Sequence, residues 1–168
     1  MINNKIKFTA FSMVELMVVV TIIGIMTSIA IPYYGSYRIK AKVTEGLGVL
    51  DNLKQISVDF YNQNAALPTS LADLNVNASA YTTPNISSVN VTATGVIQVL
   101  FSVASGVPCL TCTGASGATT SATLNLIPTA PTLGASTGTT SVISWQCGSL
   151  SISPAYLPAG CSFGVGAN

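Results

Sequence analysis

From Leu16 to Tyr37 the chain runs for 22 residues without a charged side chain. As an α-helix this run would extend about 33 Å, close to the hydrocarbon thickness of a bilayer. The apolar core of a secretory signal peptide is only about 7 to 15 residues long and leads to a small-residue cleavage site. This run is longer and closes on Tyr33, Tyr34 and Tyr37, aromatic residues of the kind that gather at a membrane interface. A plain single-pass anchor would account for the hydropathy but not for Glu15 at its head. A carboxylate near lipid costs a few kcal/mol even on lenient scales, and the preceding cations, Lys5 and Lys7, lie eight or more residues away. Gly24 and Pro32 weaken the helix further, Pro32 by about 3 kcal/mol through a lost hydrogen bond and a ring clash. The run is therefore a helix that can melt locally and carries an acid in want of a partner.

With that run subtracted, 168 residues leave room for one small domain. Only 7% of side chains are charged, against roughly 25% in an average soluble domain. Weak surface charge lowers repulsion between copies and suits a protein that associates with itself. All six Lys and Arg lie at or before Lys54, and no residue after Asp73 is charged. A carboxylate or imidazole metal site in that region is thereby excluded, and a basic patch for direct nucleic-acid binding is absent from it. The chain has no His, no paired carboxylates in its C-terminal part and no glycine-rich phosphate loop after a strand. These absences argue against catalysis, and no residue calls for a cofactor.

Four cysteines, Cys109, Cys112, Cys147 and Cys161, all lie in the C-terminal half. An even number fits two disulfides and an extracytoplasmic compartment. Cys109 and Cys112 have the spacing of a redox or zinc half-site, but a tetrahedral zinc site wants a second close pair, and Cys147 and Cys161 are too far apart to be one. Four cysteines allow three pairings, and spacing does not choose among them.

Past the apolar run, Ile39, Val43, Leu47, Leu50, Leu53, Ile56 and Phe60 recur every three or four residues, which predicts that the helix continues to about residue 62. Lys42 with Glu45, and Asp51 with Lys54, sit three apart and are spaced to pair, but a solvated helix face is the favoured reading of them. Residues 63–87 read as a long loop, and strands are expected at about 88–93, 96–104, 121–127 and 141–147, separated by Gly, Pro and Ser clusters. The predicted fold is α+β: a long N-terminal helix, its first half membrane-spanning, packed on a four-stranded antiparallel sheet. Asn77, Asn85 and Asn90 head Asn-x-Ser/Thr triplets that formally match glycan acceptors.

The segment Lys5-Ile-Lys-Phe-Thr-Ala10 followed by Phe11-Ser-Met-Val-Glu15-Leu-Met resembles the leader and mature start of type IV pilins. The resemblance implies a leader at 1–10, cleavage between Ala10 and Phe11, and N-methylation of Phe11. Ala10 stands where the family usually has Gly. By the same resemblance the hydrophobic helix is 11–37, and Glu15 meets the Phe11 ammonium of a neighbouring subunit, with Gly24 and Pro32 as the breaks in the assembling helix. In a low-dielectric core such a pair favours one axial stagger over slips. The leader is implied to be cytoplasmic, a side that charge leaves open, since Arg38, Lys40 and Lys42 balance Lys5 and Lys7.

A second stretch, Ser144-Trp-Gln-Cys147 to Tyr156-Leu-Pro-Ala-Gly-Cys161, resembles the C-terminal disulfide loop of type IVa pilins. It implies a Cys147–Cys161 bond, leaving Cys109 with Cys112. The head would then be 38–168, made of helix 38–62, loop 63–87, sheet 88–147 and disulfide loop 147–161. The expected function is that of a major pilin polymerising into a type IV pilus for adhesion, twitching motility and DNA uptake by the assembled machine. A minor pilin and a type II secretion pseudopilin are the alternatives, the latter set back by the lack of acidic residues for a calcium loop. The implied partners are other copies of the chain, a prepilin peptidase and N-methyltransferase, an inner-membrane assembly platform with its ATPase, and the membrane before assembly. The inner membrane and then the cell surface are the implied locations.

Overall fold

A computed structural model of the protein describes residues 11–110, 121–129 and 143–165. The chain divides into two compact units, one ending at Tyr37 and one beginning at Arg38. A single helix, α1, runs from Met13 to Asn64 with Pro32 inside it. It ends two residues beyond the predicted boundary, where Ala65 takes a positive φ of 50° and Pro68 follows shortly after. In the first unit the described residues of α1 are all exposed.

In the second unit α1 buries Val43, Gly46, Leu50, Leu53 and Ser57. The predicted apolar positions Ile39, Leu47, Ile56 and Phe60 flank this stripe, partly buried against the same core. Gly46 and Ser57 are the unforeseen members. A Cβ at Gly46 would lie 2.5 Å from Cζ of Phe101, so the missing side chain is what lets the ring lie against the helix. Ser57 returns its hydroxyl to the carbonyl of Leu53 at 2.8 Å, which satisfies the one polar group it brings into the core.

The sheet has five strands in the order β1 to β5: Ile86–Val91, Ile97–Phe101, Thr123–Thr129, Ser144–Ser149 and Cys161–Phe163. Four strands were expected, all antiparallel. The first four do form an antiparallel meander, with β1 beginning inside the expected loop and the other ends shifted by a few residues. The fifth pairs parallel to β4. Three residues are too few for a readable alternation, and the segment Leu150–Gly160 supplies the crossover that a parallel pair requires. The expected loop also holds a 3-10 turn, Ala78–Tyr81, capped by Asn77.

The register aligns the core side chains in rows. Val91, Ile97, Leu126, Cys147 and Cys161 stand opposite one another across all five strands, and all belong to or pack on the hydrophobic core. Phe101, Leu50, Leu53, Ile86, Ile97 and Leu124 are fully buried. On the other face the same level carries Asn90, Gln98, Asn125, Gly148 and Ser162. A side chain at Gly148 would collide with Val165, whose Cβ lies 2.5 Å from the position a Cβ would take.

Lys42 and Glu45 neither pair with one another nor form the expected solvated face. Glu45 accepts hydrogen bonds from the Thr83 hydroxyl and the Asn85 side-chain amide, both at 2.7 Å. Lys42 Nζ donates to the carbonyl of Ser105. Partners remote in sequence outcompete the local pair because they also satisfy groups that lead into β1 and follow β2, whereas an exposed helical ion pair is worth only a few tenths of a kcal/mol.

Candidate functional site

The candidate site is the apolar segment 11–37. Phe11 is 72% exposed, and Glu15 sits in the first turn of α1, where a negative charge complements the helix dipole. Val14, Leu16, Met17, Val18, Ile22, Ile23, Ile25, Met26, Ile29 and Ile31 are likewise exposed, and the helix carries a window of mean hydropathy 2.4, apolar and long enough to cross a membrane. A continuous apolar surface of this kind has to be covered by lipid or by other protein. Its two threonine hydroxyls are internally satisfied: Thr21 donates to the carbonyl of Val18 at 2.8 Å and Thr27 to that of Ile23 at 2.7 Å. These back-bonds let an otherwise greasy helix carry threonine without an unpaired donor in an apolar medium. Threonine inside an apolar run was the available signal for them.

Gly24 has no atom within 4 Å of a would-be Cβ, so it leaves a notch open to an approaching surface. Pro32 lies within the continuous helix. Ala10, on the other side of the expected cleavage point, lies outside the described residues.

Cys147 and Cys161 are bonded, 14 residues apart in sequence and directly opposite one another in the β4–β5 register. Closing a loop of that size contributes about 3 kcal/mol on the loop-entropy account. Cys147→Ser should therefore lower head stability by about 3 kcal/mol. Chemical denaturation of a fragment starting at Arg38, which retains the whole core, checks it, and an unchanged midpoint would contradict the assignment. Cys109 is also disulfide-bonded, and its isolated bridge to Ile152 ties it to the crossover before β5; Cys112, the expected partner, lies outside the described residues. Among the described residues no three His, Cys, Asp or Glu side chains gather as metal ligands.

Of the three Asn-x-Ser/Thr triplets, Asn85 has its amide nitrogen engaged by Glu45, and Asn77 uses its carbonyl oxygen to cap Ser79. Asn90 is exposed on β1. Asp73 accepts from the Thr69 amide at 2.8 Å, the Thr69 hydroxyl at 2.9 Å and the Ser70 amide at 3.0 Å. These bonds, the Thr69 amide foremost, hold its carboxyl below the ordinary 3.8. A depressed value means that the turn gains stability from the charged form above 3.8 and loses it as the pH falls through the lowered folded value.

An apolar helix without cover, continuous with one that packs on a disulfide-closed sheet, defines a class: an α+β head bearing an association helix. Residues 39–162 match the family model for pilin, described as a bacterial filament. The chain belongs to the pilin family. It is 48% identical over 44 residues to a type IV major fimbrial protein, FimA, of Dichelobacter nodosus, a match covering 26% of this chain and 28% of that protein. It is 27% identical over 151 residues to the fimbrial protein EcpC of Eikenella corrodens, covering 90% of this chain and 88% of the relative. Against a fimbrial protein of Neisseria meningitidis it is 29% identical over 69 residues, 41% of either chain. The chain thus spans little more than a quarter of the FimA proteins it matches.

Proposed function

We propose that this pilin is the major structural subunit of a type IV pilus, a filament used for adhesion, twitching motility and DNA uptake by the assembled machine. The observation that carries the reading is the fully exposed apolar face of residues 11–37 with Glu15 at its head. Before assembly lipid of the inner membrane covers that face; in the fibre the same segment of other copies does. A peptidase and N-methyltransferase removes residues 1–10 and methylates Phe11, and an inner-membrane platform with its ATPase drives polymerisation. Glu15 then pairs with the Phe11 ammonium of a neighbour and sets the stagger between subunits, while Gly24 and Pro32 let the helix adjust during packing. The resemblance of 5–17 to pilin leaders and the names of the relatives support this reading, as does a head with few charges to repel its copies.

The test is the intact mass, non-reduced and reduced, of the chain in material sheared from the cell surface. The expected species starts at methylated Phe11 and gains four hydrogens on reduction, one pair for each disulfide. Absence from the sheared fraction, with residues 1–10 still attached in the membrane, would overturn the proposal in favour of a plain anchor.

A further inference from the structure

Within the charge-free run the serine and threonine side chains are Thr21, Thr27, Ser28 and Ser36. Thr21 and Thr27 close on carbonyls of their own helix, and Ser36 stands among the tyrosines that end the run, where an interface brings water within reach. Ser28 lies deeper, twelve residues after Leu16 and nine before Tyr37. It is exposed, and its hydroxyl has no hydrogen-bond partner among the described residues.

The Ser28 carbonyl also lacks its usual donor, for a covalent reason. In an α-helix that oxygen accepts from the N–H four residues on, and four residues on stands Pro32, which has none. Turning the hydroxyl back onto its own helix, as Thr27 does, would serve the donor and leave the acceptor as it is. Ser28 thus sets a free donor beside an acceptor short of its donor, in a segment that only lipid or protein can cover, where unpaired polar groups are costly. One turn earlier on the same face, a Cβ at Gly24 would meet nothing within 4 Å, so another backbone can come close there.

We propose that Ser28 is a hydrogen-bonding contact between copies of the chain, its hydroxyl donating to the Ser28 carbonyl of a neighbour whose helix approaches over Gly24. This contact presupposes the filament reading above, in which the same segment of other copies covers this face. A second copy is the occupant because lipid tails offer neither donor nor acceptor, whereas each copy brings both, giving one bond and taking one in the manner of a head-to-tail array. Ser28 follows Glu15 by thirteen residues, about 140° around the helix, so the neighbour it meets is not the one that Glu15 meets.

The experiment uses cells making the full chain, with fibres quantified from sheared material and chain level in the membrane as the control for folding. Ser28→Ala, which removes the donor, and Pro32→Ala, which returns an N–H to the carbonyl, are each expected to cut fibre yield about threefold at unchanged chain level, the worth of one hydrogen bond between helices in a membrane. Because both remove the same bond, the double variant should fall less than about 1.5-fold below the poorer single. Proximity is read separately. In fibres assembled from the parent and Ser28→Cys together, mild oxidation is expected to give a dimer bridged at residue 28, since a disulfide needs Cα atoms within roughly 7 Å. Met26→Cys, on the opposite side of the helix, should give about a tenth as much or less. Parental yield in either alanine variant, losses that multiply, or dimers no more abundant from Ser28→Cys than from Met26→Cys would overturn this contact while leaving the filament reading intact. A parent that forms no fibres at all would overturn both.

Discussion

Glu15→Ala is expected to leave the head folded and the chain in the membrane while lowering the number of surface filaments at least tenfold, counted by electron microscopy. Glu15 has the exposed first turn of α1 to itself, so removing it disturbs no packing within the chain. In the assembled core, however, its loss would strand the ammonium of a neighbour, and an uncompensated charge in such surroundings costs about 3–5 kcal/mol. Glu15→Gln separates charge from hydrogen bonding: the amide keeps the shape and one acceptor but not the charge, and it should assemble nearly as poorly as alanine. Normal filament counts for Glu15→Ala would sink the register argument.

Phe101→Ala is expected to destabilise the head by about 3–5 kcal/mol, the range for deleting a fully buried aromatic side chain. Against a total of about 5–15 kcal/mol for a domain, this is a large share. The ring is completely buried, and its edge fills the space that Gly46 vacates on α1. Removing it opens a cavity where the ring lies directly against the helix at Gly46. The denaturant midpoint of the Arg38 fragment reports the loss. The same geometry predicts non-additivity: Gly46→Ala alone should destabilise, because its methyl meets the ring, whereas in the Phe101→Ala background it should be neutral or favourable, since alanine is the better helix former by about 1 kcal/mol. Additive effects would show that the ring does not lie where it is described.

Much of this organisation was legible in the sequence because it rests on one-dimensional signals. The charge-free run, the acid at its head and the three-and-four spacing of Val43, Leu50 and Leu53 need no knowledge of distant residues. What escaped depends on contacts remote along the chain. Gly46 and Ser57 stand outside the apolar periodicity, and only the approach of Phe101 turns that glycine into a core residue. Lys42 and Glu45 read as a solvated helix face because their partners, Ser105, Thr83 and Asn85, are brought to them by the sheet. Strand β5 has too few residues to show a pattern of its own; its place is set by the opposition of Cys161 to Cys147. The apolar run was the most readable part, since hydropathy alone marks it.

The bond between Cys147 and Cys161 has one more effect, which concerns exchange between copies. Every subunit in a crowded array offers an identical edge at β4, and a three-residue strand such as β5 could pair as well with the neighbour's edge as with its own. Swapped strands of this kind would braid subunits irreversibly and spoil any order that depends on their separating again. Because the link to β4 is covalent and lies at the first residue of β5, the strand has no choice of host, and each head remains a self-contained unit that can be added to an array and withdrawn from it intact.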